Sequence, residues 1–158
     1  MSLKNKVVVV TGGAGFVGSH LVDALTCEKP EKIIVIDNYF LGLNDNLSES
    51  MKSHIPITLH TKDLTNFEII HEIFKEETPD IVFDLAVIPL PVSLKHPRLT
   101  YHQNVNMGIT ICELARLDLF NTLIHFSSSE AYGTCVTSPM AEHTRSTEEL
   151  HTPQANHL

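Results

Sequence analysis

Four successive valines, Val7-Val8-Val9-Val10, run into Thr11-Gly12-Gly13-Ala14-Gly15-Phe16-Val17-Gly18, and a helical pattern begins inside that glycine-rich stretch. No other feature restricts the fold as much. A fully apolar, β-branched run of this length reads as a strand buried on both faces, which belongs to a parallel sheet. A glycine turn leading directly from such a strand into a helix gathers backbone N–H groups and the positive helix end at one place, where a pyrophosphate can sit. Gly12 permits the tight exit from the strand, Gly15 lets the backbone come close to phosphate, and Gly18 lets the helix approach the sheet. The neighbouring Phe16 and Val17 would supply first-turn amides to the same site.

The spacing Gly13-x-x-x-x-Gly18 also matches the glycines of a nucleoside-triphosphate P-loop, but Ser19 stands where that loop needs Lys to reach the outer phosphates. A dinucleotide site therefore fits better. Asp37 closes the second β-branched run, 19 residues past Gly18. A carboxylate there accepts hydrogen bonds from a ribose 2′-OH and repels a 2′-phosphate, which favours NAD over NADP.

The rest of the chain repeats the first unit. Strands are expected at Val7–Val10, Lys32–Ile36, Ile57–His60, Ile81–Phe83 and Leu123–Phe126, separated by helical segments. Leu21, Val22, Ala24 and Leu25 form the apolar face of the first helix, and Phe67, Ile70, Ile73 and Phe74 that of the helix after strand three. Ile109, Cys112, Leu114 and Ala115 do so before strand five. Pro30 and Thr78-Pro79-Asp80 mark helix stops. The class is α/β, a doubly wound parallel sheet with helices on both faces. Residues 1–133 read as one dinucleotide-binding domain, and 134–158 as a polar, irregular tail.

Composition excludes several alternatives. Of 158 residues, 42% are hydrophobic and 19% charged, so a core is available. A net charge of −8, with 11 Lys and Arg scattered along the chain, disfavours nucleic acid as a partner. No stretch has membrane-spanning length, and none of the ten His is set at metal-ligand spacing, so neither membrane nor metal is expected. Cys27, Cys112 and Cys135, odd in number and far apart, suggest reduced thiols in the cytoplasm.

Six motifs in order resemble the extended short-chain dehydrogenase/reductase family of nucleotide-sugar epimerases, dehydratases and decarboxylases. They are Thr11-Gly12-x-x-Gly15-x-x-Gly18; Asp37-Asn38 with Gly42 and Asn46-Leu47; Asp63-Leu64; Leu85-Ala86; Asn106 with Gly108 and Thr110; and Ser127-Ser128-Ser129-Glu130-Ala131-Tyr132-Gly133. The resemblance implies a modified Rossmann fold holding NAD across the carboxyl ends of its strands. Asp63 and Leu64 would then lie near the adenine, and Leu85, Ala86 and Val87 beside the dinucleotide, with Asn38, Gly42, Asn106 and Ser127 completing the cofactor site. It also implies transient oxidation of a nucleotide sugar, with Ser128 hydrogen-bonding the reacting oxygen and Glu130 where dehydratases and decarboxylases often carry Glu. Such proteins are commonly homodimers through helices flanking the sheet.

The chain departs from that pattern at Asp84, where the family commonly has His, and at Phe40-Leu41, which replace a Ser-Thr pair near the adenosine. The family's Tyr-x-x-x-Lys pair is absent, since no Tyr follows Tyr132 and no Lys follows Lys95. About half of the family's usual length, including the substrate domain, is also missing. These residues are therefore expected to be the cofactor-binding portion of such an enzyme, truncated before the substrate domain and inactive alone. The alternative is a non-catalytic NAD-binding or sensor module of this natural length.

Overall fold

The computed structural model describes residues 2–128, 131 and 139. Residues up to Phe126 form one compact unit, and a second unit begins at Ser127. The first unit is built on a five-stranded sheet of β1 (Val7–Thr11), β2 (Lys32–Asp37), β3 (Ile57–Thr61), β4 (Ile81–Asp84) and β5 (Thr122–His125). The spatial order is β3-β2-β1-β4-β5, with all neighbours parallel. The order reverses at β1, so a crevice opens at the carboxyl ends between β1 and β4, the place where open α/β sheets bind ligands.

Helices cover both faces, as parallel strands require. On one side α1 (Phe16–Cys27) seats Val22 and Leu25 on Val8, Val10, Ile33, Val35, Ile81 and Phe83. On the other, α2 (Phe67–Glu77) and α4 (Pro97–Arg116) bring Ile70, Ile73, Phe74, Ile111 and Leu114 onto Val9, Ile34, Ile36 and Val82. Fully burying a side chain of this size stabilises the fold by about 1.5–3 kcal/mol. The short helix α3 (Leu90–Ser93) precedes α4. The polar caps follow the rules for helix ends. Asn66 accepts from the Ile69 N–H at the start of α2, and Thr78 takes the left-handed conformation (φ 43°) that ends it.

The expected elements are present, with corrections in detail. Strands β1 to β4 each run one residue past the expected end, because Thr11, Asp37, Thr61 and Asp84 stay in register with their neighbours. β5 begins at Thr122 and leaves Phe126 outside the ladder. Ala24 of α1 is exposed, while Gly18 and Ser19 are buried. The expected apolar face of α4 is also turned: Ile109 and Cys112 are exposed, and Thr100, Thr110, Ile111 and Leu114 point inward. Two inward threonines broke the apolar periodicity on which the expectation rested.

Candidate functional site

The glycine turn is shaped by close backbone contacts. Gly12 has φ +66°, and its N–H donates to the Ile36 carbonyl while its own carbonyl accepts from the Gly15 N–H. A Cβ on Gly18 would lie 2.2 Å from the Gly12 carbonyl oxygen, so α1 can leave the turn at this angle only with glycine there. The obstacle is the turn's own backbone rather than the sheet. Gly15, the N-cap of α1, carries no side-chain cap, and a Cβ there would meet only the Gly12 oxygen at 3.2 Å. The amides of Phe16, Val17 and Gly18 are first-turn donors with no intrahelical acceptor. Among the described residues none of the three has a hydrogen-bond partner. The Phe16 and Val17 side chains are exposed beside them.

Asp37 ends β2 next to this turn. Its Oδ2 accepts from the Ala14 N–H at 2.9 Å and its Oδ1 from the Tyr39 N–H at 2.7 Å. Each carboxylate oxygen keeps a further lone pair for a ligand hydroxyl. Burial and the adjacent Asp37 charge both push the Tyr39 phenol upward. The following loop is tied down through Ala14, whose carbonyl accepts from the Leu43 N–H and from Asn46 Nδ2. Gly42 makes that approach feasible, since a Cβ would stand 2.9 Å from the Ala14 Cβ. Phe40 and Leu41 are exposed on the same loop.

Asn38 reaches Asp63, with Nδ2 to Oδ2 at 3.4 Å. Burial pushes the Asp63 carboxyl upward, but hydrogen bonds from Thr65 and Asn38 outweigh it and hold it below the ordinary carboxylate value. Leu64, its neighbour, is buried in the core on the α2 side.

Across β1 the carboxyl ends carry a second network. Thr11 Oγ1 donates to Asp84 Oδ1 at 2.6 Å and accepts from the Leu85 and Ala86 N–H groups, each at 3.1 Å. Asp84 Oδ2 lies 2.9 Å from His125 Nδ1. Val87, next in the loop, is exposed. Asn104 of α4 then holds Ile88 in both directions, with Oδ1 accepting from its N–H at 2.8 Å and Nδ2 donating to its carbonyl at 3.0 Å.

The structure thus brings Gly12, Gly15, Phe16, Val17, Gly18, Asp37, Gly42, Leu85 and Ala86 to one rim, with Asn38 and Asp63 flanking it. Asn106 is exposed on α4, and the residue that secures the loop is Asn104, two positions earlier. Sequence analysis missed Asn104 and the Thr11–Asp84–His125 chain. The available signal was that Thr11 and Asp84 directly follow their expected strands and His125 lies near the end of the fifth. Ser127 and Ser128 belong to the second unit, where the Ser128 carbonyl accepts from the Ala131 N–H at 3.1 Å. Glu130 and the tail 134–158, apart from Pro139, lie outside the described residues.

Residues 8–156 match the family model described as the NAD dependent epimerase/dehydratase family. The chain belongs to that family. Among family members, UDP-glucuronic acid decarboxylase 6 of Arabidopsis thaliana is 36% identical over 139 residues, covering 87% of this chain and 38% of the plant protein. An epimerase of Methanothermobacter thermautotrophicus is 29% identical with a TM-score of 0.78, covering 90% of this chain and 41% of its own. UDP-glucose 4-epimerase from Bifidobacterium longum, solved in complex with NAD+ and UDP, is 25% identical with a TM-score of 0.80, covering 87% and 42%. The chain therefore spans about two fifths of the length of the relatives it matches. Among the described residues, no helix is long and apolar enough to cross a membrane.

Proposed function

We propose that this chain is the NAD-binding portion of a nucleotide-sugar epimerase, dehydratase or decarboxylase. The observation that carries it is the rim itself, where three unpartnered first-turn amides stand beside the Asp37 carboxylate at the crevice between β1 and β4. The amides of Phe16, Val17 and Gly18 suit a pyrophosphate, and Asp37 suits an adenosine ribose carrying a free 2′-OH. The complex of the Bifidobacterium longum relative with NAD+ supports the choice of cofactor. When bound, NAD supplies a hydride acceptor. Residues 1–133 form the cofactor region in this proposal, and 134–158 lead toward a substrate region.

The residues bind and orient, but they do not complete the reaction. Ser128 orients the carbinol oxygen of the sugar and Glu130 assists at the same locus. A proton must still leave as hydride departs, and the Tyr-x-x-x-Lys pair that would take it is absent from these 158 residues. Loss of a general base costs about 10²–10⁴-fold in rate, so these residues alone bind cofactor without turnover. Cys27 and Cys112 stand as free, exposed thiols, which supports a reducing, cytoplasmic setting. Tyr101, Val105 and Ile109 form an exposed apolar stripe along α4, which supports a homodimer through that helix.

Titration calorimetry tests the central proposal. NAD binds, NADP binds more weakly, and Asp37→Ala narrows the gap. Equal affinities for the two dinucleotides would refute the role of Asp37. New absorbance of reduced nicotinamide on mixing the chain, NAD and a UDP-sugar would refute the expected inactivity.

A further inference from the structure

Opposite Asp37, on the far side of β1, the crevice holds a charge that cofactor anchoring does not use. Thr11, Asp84 and His125 are register partners across β1, β4 and β5 and close their strands together. The direction of their hydrogen bonds follows from counting. Thr11 Oγ1 accepts two backbone N–H groups, which fills both its lone pairs, so its single proton goes to Asp84 Oδ1. Asp84 is an acceptor there. At Oδ2 it faces His125 Nδ1 at 2.9 Å, an atom that can donate to the carboxylate when it carries a ring proton. The Asp84 side chain is only 6% exposed, whereas that of His125 is 60% exposed. Asp84 is thus a buried carboxylate whose one ionisable partner among the described residues is a largely solvated imidazole.

Among the described residues, the groups facing this carboxylate add no compensating cation. β1 presents Thr11, and the loop after β4 presents the backbone of Leu85 and Ala86. The buried and half-buried residues in the first eleven positions of α4 are Thr100, Gln103, Asn104 and Met107, all uncharged. Its Arg98, Tyr101 and His102 are exposed.

NAD held as proposed would run from Asp37 on β2, over the glycine turn after β1, and so place its nicotinamide half on the β4–β5 side, where Asp84 stands. The oxidised nicotinamide ring is a cation and the reduced ring is neutral. A buried carboxylate on that side stabilises the first and has no comparable effect on the second. We propose that Asp84, held by Thr11 and His125, sets the redox-state preference of the site, selecting the oxidised over the reduced dinucleotide. The assignment rests on the NAD binding proposed above.

Dissociation constants of NAD+ and NADH for the 158-residue chain, measured by calorimetry at pH 8.5, test it. The wild type binds NAD+ more tightly than NADH. Asp84→Asn keeps the acceptor for Thr11 and removes the charge, and it lowers the preference by on the order of tenfold, as withdrawal of one unit charge from a partly desolvated site does. A purely structural Asp84 would weaken both nucleotides together, so an unmoved ratio in a folded Asp84→Asn variant overturns the proposal. His125→Lys, at an exposed position, fixes a cation beside Asp84 and lowers the ratio in the same direction. If Asp84→Asn does not fold, an unmoved ratio in His125→Lys overturns the proposal in its place. Binding of neither nucleotide by the wild type overturns NAD binding itself and this assignment with it. Binding of both with an unmoved ratio overturns this assignment alone.

Discussion

Thr11→Val is the most informative test of how the crevice is held together, because it removes one hydroxyl and changes the side-chain shape very little. Thr11 Oγ1 makes three hydrogen bonds. The one to the buried Asp84 involves a charged group and contributes about 1.5–3 kcal/mol. Leu85 keeps a second acceptor in the Thr11 carbonyl at 3.3 Å, so its N–H is not stranded. The Ala86 N–H has no such alternative among the described residues, and its loss adds about 1 kcal/mol. The total is about 2.5–4 kcal/mol. For a chain of this size that corresponds to roughly 5–16 °C in Tm. Urea unfolding followed by circular dichroism measures it, with Thr11→Ser as the control that restores the hydroxyl and most of the stability. A loss below about 1 kcal/mol for Thr11→Val would refute the network as an element of the fold.

Gly15→Val and Gly18→Ala should separate binding from folding. The first leaves the circular dichroism spectrum intact and abolishes NAD binding in calorimetry. The second drives a Cβ onto the Gly12 carbonyl oxygen and lowers the unfolding midpoint itself. Asn104→Ala frees both polar groups of Ile88, and amide exchange in the loop after β4 accelerates, with about 1–2 kcal/mol lost from local stability. On acidification the urea midpoint falls. A hydrogen bond from Lys6, then one from the Val7 N–H, holds the Asp80 carboxyl below its ordinary value; in Glu77, burial pushes upward but Lys32 and His60 outweigh it. A depressed folded value means stability that is full above the ordinary carboxylate pKa of about 4 and is lost as pH falls below it. Asp80→Asn flattens that slope between pH 5 and 3, and an unchanged slope would show that the Lys6 pair contributes nothing.

The strands were legible because parallel strands buried on both faces need no alternation. Ile33, Ile34, Val35 and Ile36 read as one continuous apolar run and are all buried. Their ends were less legible for a related reason. Thr11, Asp37 and Asp84 are polar, so an apolar criterion stops short of them, yet each is buried and hydrogen-bonded in the sheet. α4 was misphased because Thr100 and Thr110 occupy core positions and Ile109 does not. On the rim, Asp37 and the glycines were legible since their chemistry is local in sequence. The Asp84–His125 pair spans 41 residues and joins two strands whose register only the fold provides, so Asp84 read merely as a departure from the family pattern. Asn104 was hidden by the more prominent Asn106 two residues later.

The polar residues that close the strands share one construction. Thr11, Asp37 and Asp84 are the last residues of β1, β2 and β4, and each holds a segment that is not its own continuation alone. Asp37 holds the glycine turn through Ala14, Thr11 holds the loop after β4, and Asp84 holds Thr11 and His125. Asn104 adds a clamp on Ile88 from α4. A parallel sheet buries its strand ends beneath connecting loops, so polar groups placed there must be satisfied by those loops. The same bonds that satisfy them fix the loops against one another. Because these bonds fix the rim without any contribution from a ligand, binding there need not meet the full cost of ordering side chains and backbone. The charge of Asp84 enters the crevice through this scaffolding: with Asp as the residue that secures β1 to β5, a carboxylate stands on the β4–β5 side, and an oxidised nicotinamide is the form of the cofactor that tolerates it best.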